Sequence, residues 1–349
     1  MDFKKLFRPH IYNLKPYSSA RDEYSGKEGV FLDANENPYG SVAEGDFNRY
    51  PDPYQREIKE KLGKLKGVDI GQIFLGNGSD EPIDLVIKAT CEPNNSEMII
   101  MPPTYGMYQV CADIQQAVVV KANLTPNFEI DQRAVETAIT PKTKLIWICS
   151  PNNPSGNSLD QKVMLDMIQK YPEILFIIDE AYGDFSKEES MISRIAEFQN
   201  IMVLQTFSKA WGMAGLRVGV AYAHTELISI LNKIKYPYNL NIATQGYVLK
   251  ALDNVGAMQE FVSRISENRD LLAQEIIKLR ATEKVFPSDS NQLLVKFRNA
   301  KTLFQKLLEN KIIVRDRSNV TLCEDCLRIS VGTKEENSTL MEALKELDK

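Results

Sequence analysis

Thr206-Phe207-Ser208-Lys209-Ala210-Trp211-Gly212-Met213-Ala214-Gly215-Leu216-Arg217-Val218-Gly219 is the stretch on which the reading of this chain turns. An apolar run over residues 201–204 leads into it. It then offers two hydroxyls, a lysine, three glycines and an arginine within fourteen residues. Hydroxyls and the planar fork of an arginine suit a phosphate. Glycines let backbone approach a ligand closely. A lysine held beside them can form a Schiff base with an aldehyde. The groups together call for a ligand that carries both a phosphate and an aldehyde. A lysine in a Ser/Gly-rich turn is ordinarily just solvated, so the reading depends on what the other segments supply.

Working outward, short apolar strands alternate with helical patterns. Residues 73–75 lead into Gly76-Asn77-Gly78-Ser79-Asp80-Glu81-Pro82, a glycine turn opening an apolar helix. The free N–H groups at such a helix start form a phosphate site. Further strands are expected at 98–101, 117–120, 145–149, 174–178 and 218–221, and a short one at 31–32 before the Asn35-Glu36-Asn37-Pro38 turn. Helices are expected at 54–65 and from a capping box at 158–161 until Pro172 stops the second. Near-continuous apolar strands separated by helices predict an α/β fold with a mostly parallel sheet covered on both faces. Ligands of such sheets sit beyond the carboxyl ends of the strands. Tyr105, Asn153, Asp179, Tyr182 and Lys209 each follow the end of an expected strand and converge on one crevice.

Past Tyr236-Pro237-Tyr238-Asn239 the character changes. A helical pattern covers 241–280, as one bent helix or two. A strand at 291–297, a helix at 302–309, strands at 312–315 and 327–331 and an amphipathic tail helix at 335–347 read as a smaller α+β domain. The expected division is an N-terminal arm over 1–30 lying on another part of the molecule, a large ligand-binding domain over 31–235 and a small C-terminal domain over 236–349.

The 349 residues carry a net charge of −5, with 43% hydrophobic and 26% charged content. That balance gives no reason to expect nucleic acid or an anionic membrane as partner. No apolar run approaches the length of a membrane span, and no signal-peptide core follows Met1, so a cytoplasmic protein is expected. Cys91, Cys111, Cys149, Cys323 and Cys326 are odd in number and scattered, unlike a disulfide framework. The Cys323-x-x-Cys326 pair would need two more ligands to hold zinc, and His10 and His224 are far off in sequence, so no metal is expected.

The ligand that fits these parts is pyridoxal phosphate. Lys209 would form the Schiff base and act as the acid/base on the substrate. Asp179 would pair with the pyridine nitrogen. Tyr182 and Asn153 would hydrogen-bond the ring's phenolate oxygen, and Tyr105 would stack on its face. The phosphate would take N–H groups of Ser79 and Asp80, the hydroxyls of Thr206 and Ser208, and the fork of Arg217.

Seven motifs extend the pattern over nearly the whole chain: Asn13-Leu14-x-Pro16-Tyr17, Asn35-Glu36-x-Pro38, Asn48-Arg49-Tyr50-Pro51, Pro102-Pro103-Thr104-Tyr105-Gly106-Met107-Tyr108, Ser150-Pro151-Asn152-Asn153-Pro154, Leu216-Arg217-Val218-Gly219 and Leu327-Arg328-Ile329-Ser330-Val331-Gly332-Thr333. With them the chain resembles the fold-type I aminotransferases, and within these the histidinol-phosphate aminotransferase family. The resemblance implies a homodimer with active sites at the subunit interface. It implies exchange of an amino group between histidinol phosphate and 2-oxoglutarate, giving imidazole-acetol phosphate and glutamate, in histidine biosynthesis. Arg328 matches the arginine that holds the glutamate α-carboxylate; the substrate phosphate would use Arg328 with Arg315 and Tyr17. Tyr50 would reach the neighbouring subunit's cofactor phosphate, and Asn35 and Tyr238 would line the substrate pocket. On residue chemistry alone, two arginines on C-terminal strands also suit surface ion pairs. Ser155 stands where the family usually has threonine, and Trp211 where a smaller residue is common.

Rival readings on the same scaffold are a threonine-phosphate decarboxylase and an aromatic amino acid aminotransferase. A non-catalytic pyridoxal-phosphate-binding regulator would need a DNA-binding module, and no basic helix-turn-helix segment is left over. Replacing Lys209 with Ala separates enzyme from binding module: turnover is expected to vanish, and a variant with unchanged function would contradict the enzymatic reading.

Overall fold

The computed structural model describes residues 1–17 and 28–348. In chain order the elements are α1 (Phe3–Leu6), α2 (Pro9–Tyr12), α3 (Arg56–Lys66), β1 (Ile73–Asn77), α4 (Asp80–Thr90), β2 (Glu97–Ile100), α5 (Met107–Gln115), β3 (Val118–Lys121), α6 (Gln132–Ala138), β4 (Thr143–Cys149), α7 (Gln161–Lys170), β5 (Leu175–Asp179), β6 (Ile201–Thr206) and β7 (Val218–Ala223). The remainder comprises α8 (Thr225–Ile234), α9 (Ile242–Leu252), α10 (Val255–Ile276), β8 (Thr282–Val285), β9 (Gln292–Phe297), α11 (Ala300–Glu309), β10 (Arg315–Asp316), β11 (Cys326–Ser330) and α12 (Lys334–Leu347).

Seven strands form one sheet in the order β1-β7-β6-β5-β4-β2-β3. Every pair from β6 to β3 is parallel, whereas β7 runs antiparallel to both β6 and β1. The expected α/β architecture is therefore present, with a single reversed strand. Side chains alternate across a strand, and the two faces are both apolar. Ile146, Ile148, Phe176, Ile178, Ile201 and Val203 enter one core. Leu145, Trp147, Leu175, Ile177, Met202 and Leu204 enter the other, with helices α4 and α8. Burial on both faces explains why these strands read as continuous apolar runs.

The second sheet is antiparallel throughout, in the order β10-β11-β9-β8. Its core takes Leu272 and Ile276 of α10, Leu303 and Leu307 of α11, and Leu340 and Leu344 of α12. The 241–280 pattern resolves into two helices, α9 and α10, broken near Asp253 and Asn254. The loop that follows β4 meets the small sheet directly: Asp289 N–H donates to Gly156 O at 2.7 Å, and Ser158 N–H donates to Asp289 Oδ2 at 2.9 Å.

Two local expectations are corrected. Residues 31–32 form no strand; Leu32 is 86% exposed, and an extended segment without a strand neighbour gains no ladder. The helix after β4 is capped by Asp160, whose side chain accepts from Lys162 N–H at 2.8 Å, while the Ser158 hydroxyl pairs with that of Ser186. Residues 18–27 of the expected arm lie outside the described residues. Its first part packs on the large sheet's layer of helices: Phe3, Leu6 and Phe7 are buried against the α4 and α8 face, and Arg8 N–H donates to Ala89 O at 2.9 Å. Two four-residue helices carry too little periodicity to be seen in sequence.

Removing the Phe7 ring leaves a cavity as well as lost transfer energy. Phe7→Ala is expected to cost about 3–5 kcal/mol in urea unfolding; a loss near zero would mean that the N-terminal helices are not part of the core.

Candidate active site

The site follows from one feature of the large sheet. In a parallel array the C-terminal strand ends share an edge, and because β7 is reversed its first residues lie at that same edge. Thr206 at the end of β6 sits opposite Gly219, and Asn77 at the end of β1 sits opposite Val218. Arg217, just before β7, thus stands between the last residues of β6 and the start of α4.

Asp179 ends β5 and is 2% exposed. It follows Leu175 and Ile177 in the alternation, so it faces the core that contains Trp147 and Tyr108. There the Tyr108 hydroxyl donates to Asp179 Oδ2, and Ala181 N–H donates to Oδ1 at 3.0 Å. Tyr108 is itself held flat on Trp147, with ring centres 4.5 Å apart. Burial pushes the Asp179 carboxyl above its ordinary range; the two donors oppose that, the charge of Asp80 adds to it and Lys209 opposes it. A buried carboxylate of this kind is best stabilised by a cation placed against it.

Lys209 sits in the turn after β6, half-buried, with Nζ 5.5 Å from the centre of the Tyr182 ring. Its amine is pushed below the ordinary lysine value, first by burial and then by Arg328 and Arg217, against the pull of Asp179 and Asp80. That direction favours the neutral, nucleophilic amine. Tyr182 is 7% exposed and its hydroxyl is pushed up to about 12, mainly by burial, with Arg328 acting in the other direction.

The phosphate-type groups lie together at the edge. Thr206 Oγ1 donates to Ser208 Oγ at 3.0 Å, and Arg217 donates to Ser208 Oγ at 3.3 Å. Arg217 also pairs with Asp80 Oδ2 at 3.3 Å, and the Tyr105 hydroxyl donates to Asp80 Oδ1 at 3.0 Å. Ser79 precedes the free N–H groups that open α4. Glycine is required here: a Cβ on Gly219 would lie 2.2 Å from Gly78 C and Ser79 N, and one on Gly78, at φ +67°, 2.5 Å from the Arg217 guanidinium. The edge therefore keeps backbone N–H groups, a hydroxyl and a guanidinium in one cradle, with a buried carboxylate and an amine beside it. This donor set fits pyridoxal phosphate.

Asn153 is tied to the small sheet: its Oδ1 accepts from Arg328 at 2.7 Å, and its amide N–H₂ remains a donor for a ligand. Arg328 pairs directly opposite Arg315 across β10 and β11. Tyr50 and Tyr238 stack on each other with ring centres 4.4 Å apart. Tyr17 is 76% exposed and Asn35 is exposed at φ 55°; neither hydrogen-bonds to the Asp179–Lys209 group among the described residues. Tyr105 was expected as a stacking ring, and its hydroxyl is now tied to Asp80. Sequence reasoning passed over Tyr108 as a site residue. The signal was its position one helical turn beyond Tyr105 at the start of α5.

Fold and edge together define a class, the fold-type I enzymes that use pyridoxal phosphate. The sequence profile of aminotransferase class I and II matches residues 25–344, and the chain belongs to that family. It is 48% identical over 340 residues to the histidinol-phosphate aminotransferase of Cytophaga hutchinsonii, covering 97% of each protein. In three dimensions it is similar to the histidinol-phosphate aminotransferase of Clostridium acetobutylicum, with TM-score 0.81 and 23% identity over 86% of this chain and 91% of that one. It is also similar to the Sinorhizobium meliloti histidinol-phosphate aminotransferase in complex with pyridoxal-5'-phosphate, with TM-score 0.80 and 20% identity over 97% and 96% of the two chains.

Two outcomes follow from this geometry. Gly219→Ala is expected to lose about 1–3 kcal/mol of stability through overpacking and to weaken cofactor retention; unchanged urea unfolding and retention would contradict the close approach at Gly78. The apparent pKa for cofactor capture by the apo-protein should fall below the ordinary lysine value. Arg328→Gln removes a repelling charge, so it should move that pKa upward; a downward or absent shift would contradict the assigned cause.

Proposed function

We propose that the chain is a histidinol-phosphate aminotransferase, moving an amino group from L-histidinol phosphate to 2-oxoglutarate to give imidazole-acetol phosphate and L-glutamate in histidine biosynthesis. The observation that carries the reading is the Tyr108–Asp179 pair buried beside the Lys209 amine, at the edge that holds Ser208 and Arg217. The substrate follows the name of the relative that is 48% identical over nearly the whole chain.

Pyridoxal phosphate, when bound, supplies an aldehyde that carries the amino group and a ring that draws electrons from the reacting carbon. Ser79, Asp80, Thr206, Ser208 and Arg217 would hold its phosphate, and Asp179 would hold the proton on its ring nitrogen. Tyr182 and the Asn153 amide would face the ring oxygen, while Tyr105 lies at the cradle beside Asp80. Lys209 would anchor the aldehyde and then, as a neutral amine, take the proton from the amine-bearing carbon of one substrate, hand it to the cofactor, and make the reverse transfer to the carbon of the other product. Arg328 and Arg315 would bind substrate anions, Arg328 being oriented by Asn153. Tyr17, Asn35 and Tyr238 would complete the substrate pocket.

We read the protein as a homodimer whose partner covers the loop before α3. Val30, Leu32, Tyr39 and Val42 are each more than 85% exposed there, which is unusual for apolar side chains so close in sequence. Tyr50, in the same segment and 50% exposed, would reach the other subunit's site.

The test is an absorbance titration of purified protein. Histidinol phosphate is expected to convert the bound cofactor to its amine form, and 2-oxoglutarate to restore it. A band that answers glutamate but not histidinol phosphate would keep the aminotransferase and reject the substrate.

A further inference from the structure

Arg315, Arg317 and Arg328 lie on one face of the small sheet. Arg315 stands directly opposite Arg328, and Arg317 N–H continues the ladder by donating to Cys326 O at 2.9 Å. Residues two apart on an extended strand share a face, so the three guanidiniums are neighbours. Like charges placed this way repel. Elsewhere the chain relieves such charges with acids, as in Arg49 with Glu36 and Arg269 with Asp270. Among the described residues, no ion pair involves Arg315, Arg317 or Arg328. The nearest acid in sequence, Asp316, accepts from Ser318 N–H on Oδ1 at 2.8 Å, and its charge offsets only part of the repulsion on Arg317.

Two of these arginines are also incompletely bonded in buried surroundings. Arg317 Nε and Arg328 Nε are both buried without a hydrogen-bond partner, and so is Ser318 Oγ. These are three of the seven such atoms among the described residues, and they lie on β11 or just past β10. Burial and mutual repulsion push the Arg317 guanidinium below its ordinary value, and the charges of Arg328 and Arg317 both act on the Tyr182 hydroxyl. Arg328 also donates to Asn153 Oδ1 at 2.7 Å, just past the end of β4, which brings the cluster to the edge where Asp179 ends β5.

We propose that Arg317 is a specificity-determining contact that completes a three-guanidinium seat for the dianionic phosphate of a phosphate monoester. This deepens the substrate reading above and rests on the chain being an aminotransferase for a phosphorylated amine. A carboxylate carries one charge and is matched by one fork. A phosphate monoester carries close to two charges and three acceptor oxygens. Arg328 and Arg315 together match two charges, as two carboxylates or one dianion would need; the third phosphate oxygen is left for a further donor, and Arg317 supplies it.

The experiment uses holoenzyme, with Arg317→Gln and Arg317→Lys beside the unaltered protein. Inorganic phosphate is titrated by calorimetry, and KM and kcat are measured for histidinol phosphate and for glutamate. Arg317→Gln is expected to weaken phosphate binding and raise the KM for histidinol phosphate by roughly tenfold each, the loss of one charge-assisted hydrogen bond. The glutamate KM should stay within about twofold, since its carboxylates need no third fork. Arg317→Lys, which keeps the charge, should recover part of the loss. Phosphate binding that is unchanged in Arg317→Gln, or glutamate weakened as much as phosphate, would overturn the role of Arg317. If Arg317→Gln does not fold, the Lys variant decides on the same titration: intermediate phosphate binding supports the seat, and wild-type binding overturns it. A protein that ignores histidinol phosphate but loses phosphate affinity in Arg317→Gln keeps the seat and rejects the substrate reading.

Discussion

A carboxylate enclosed by an apolar sheet has to be neutralised, hydrogen-bonded or paired, and much of this molecule is arranged around how Asp179 meets that requirement. It stands where β5 ends, on the same face as Trp147, with all of its strand buried. The Tyr108 hydroxyl and the Ala181 N–H each take one carboxylate oxygen. Those two donors offset only part of the desolvation, since burial still pushes the group upward. A cation against Asp179 would complete the balance, which is why a buried acid at this position suits a protonated ring nitrogen better than it suits a structural role.

The second condition is geometric. Six strands of the large sheet point the same way and one does not, and the reversed strand returns the chain to the edge where the others end. Arg217, Ser208 and the start of α4 meet there because glycine at 78 and 219 lets the backbones touch. The small sheet then presents Arg328 to the same edge through Asn153. Burial first, then the charges of Arg328 and Arg217, push the Lys209 amine downward against the pull of Asp179 and Asp80.

Much of this placement is legible in sequence for a simple reason: apolar strands buried on both faces announce themselves, and the residue after each is at the ligand edge. Asp179 and Lys209 come from that rule alone. Tyr108, the Asp80–Arg217 pair and the Asn153–Arg328 bond do not, because they depend on which helix face and which strand register meet across the molecule. Arg317 was hidden similarly; its kinship with Arg315 and Arg328 exists only once β10 is paired with β11 in a particular register. The N-terminal segment was legible only as an arm lying on the molecule; its anchors were not, because Phe3 and Leu6 of α1 and Phe7 just after it span too few residues to show a period.

Asp179 is proposed to act on the ring nitrogen of the cofactor and not merely to pack. Single-turnover amino transfer by Asp179→Asn, with cofactor content and unfolding midpoint measured on the same sample, tests it most directly. The expected result is a folded, cofactor-loaded protein whose transfer rate falls by about 10²–10³, the scale of losing one electrostatic stabiliser. A folded, loaded Asp179→Asn protein that transfers at the unaltered rate would contradict it.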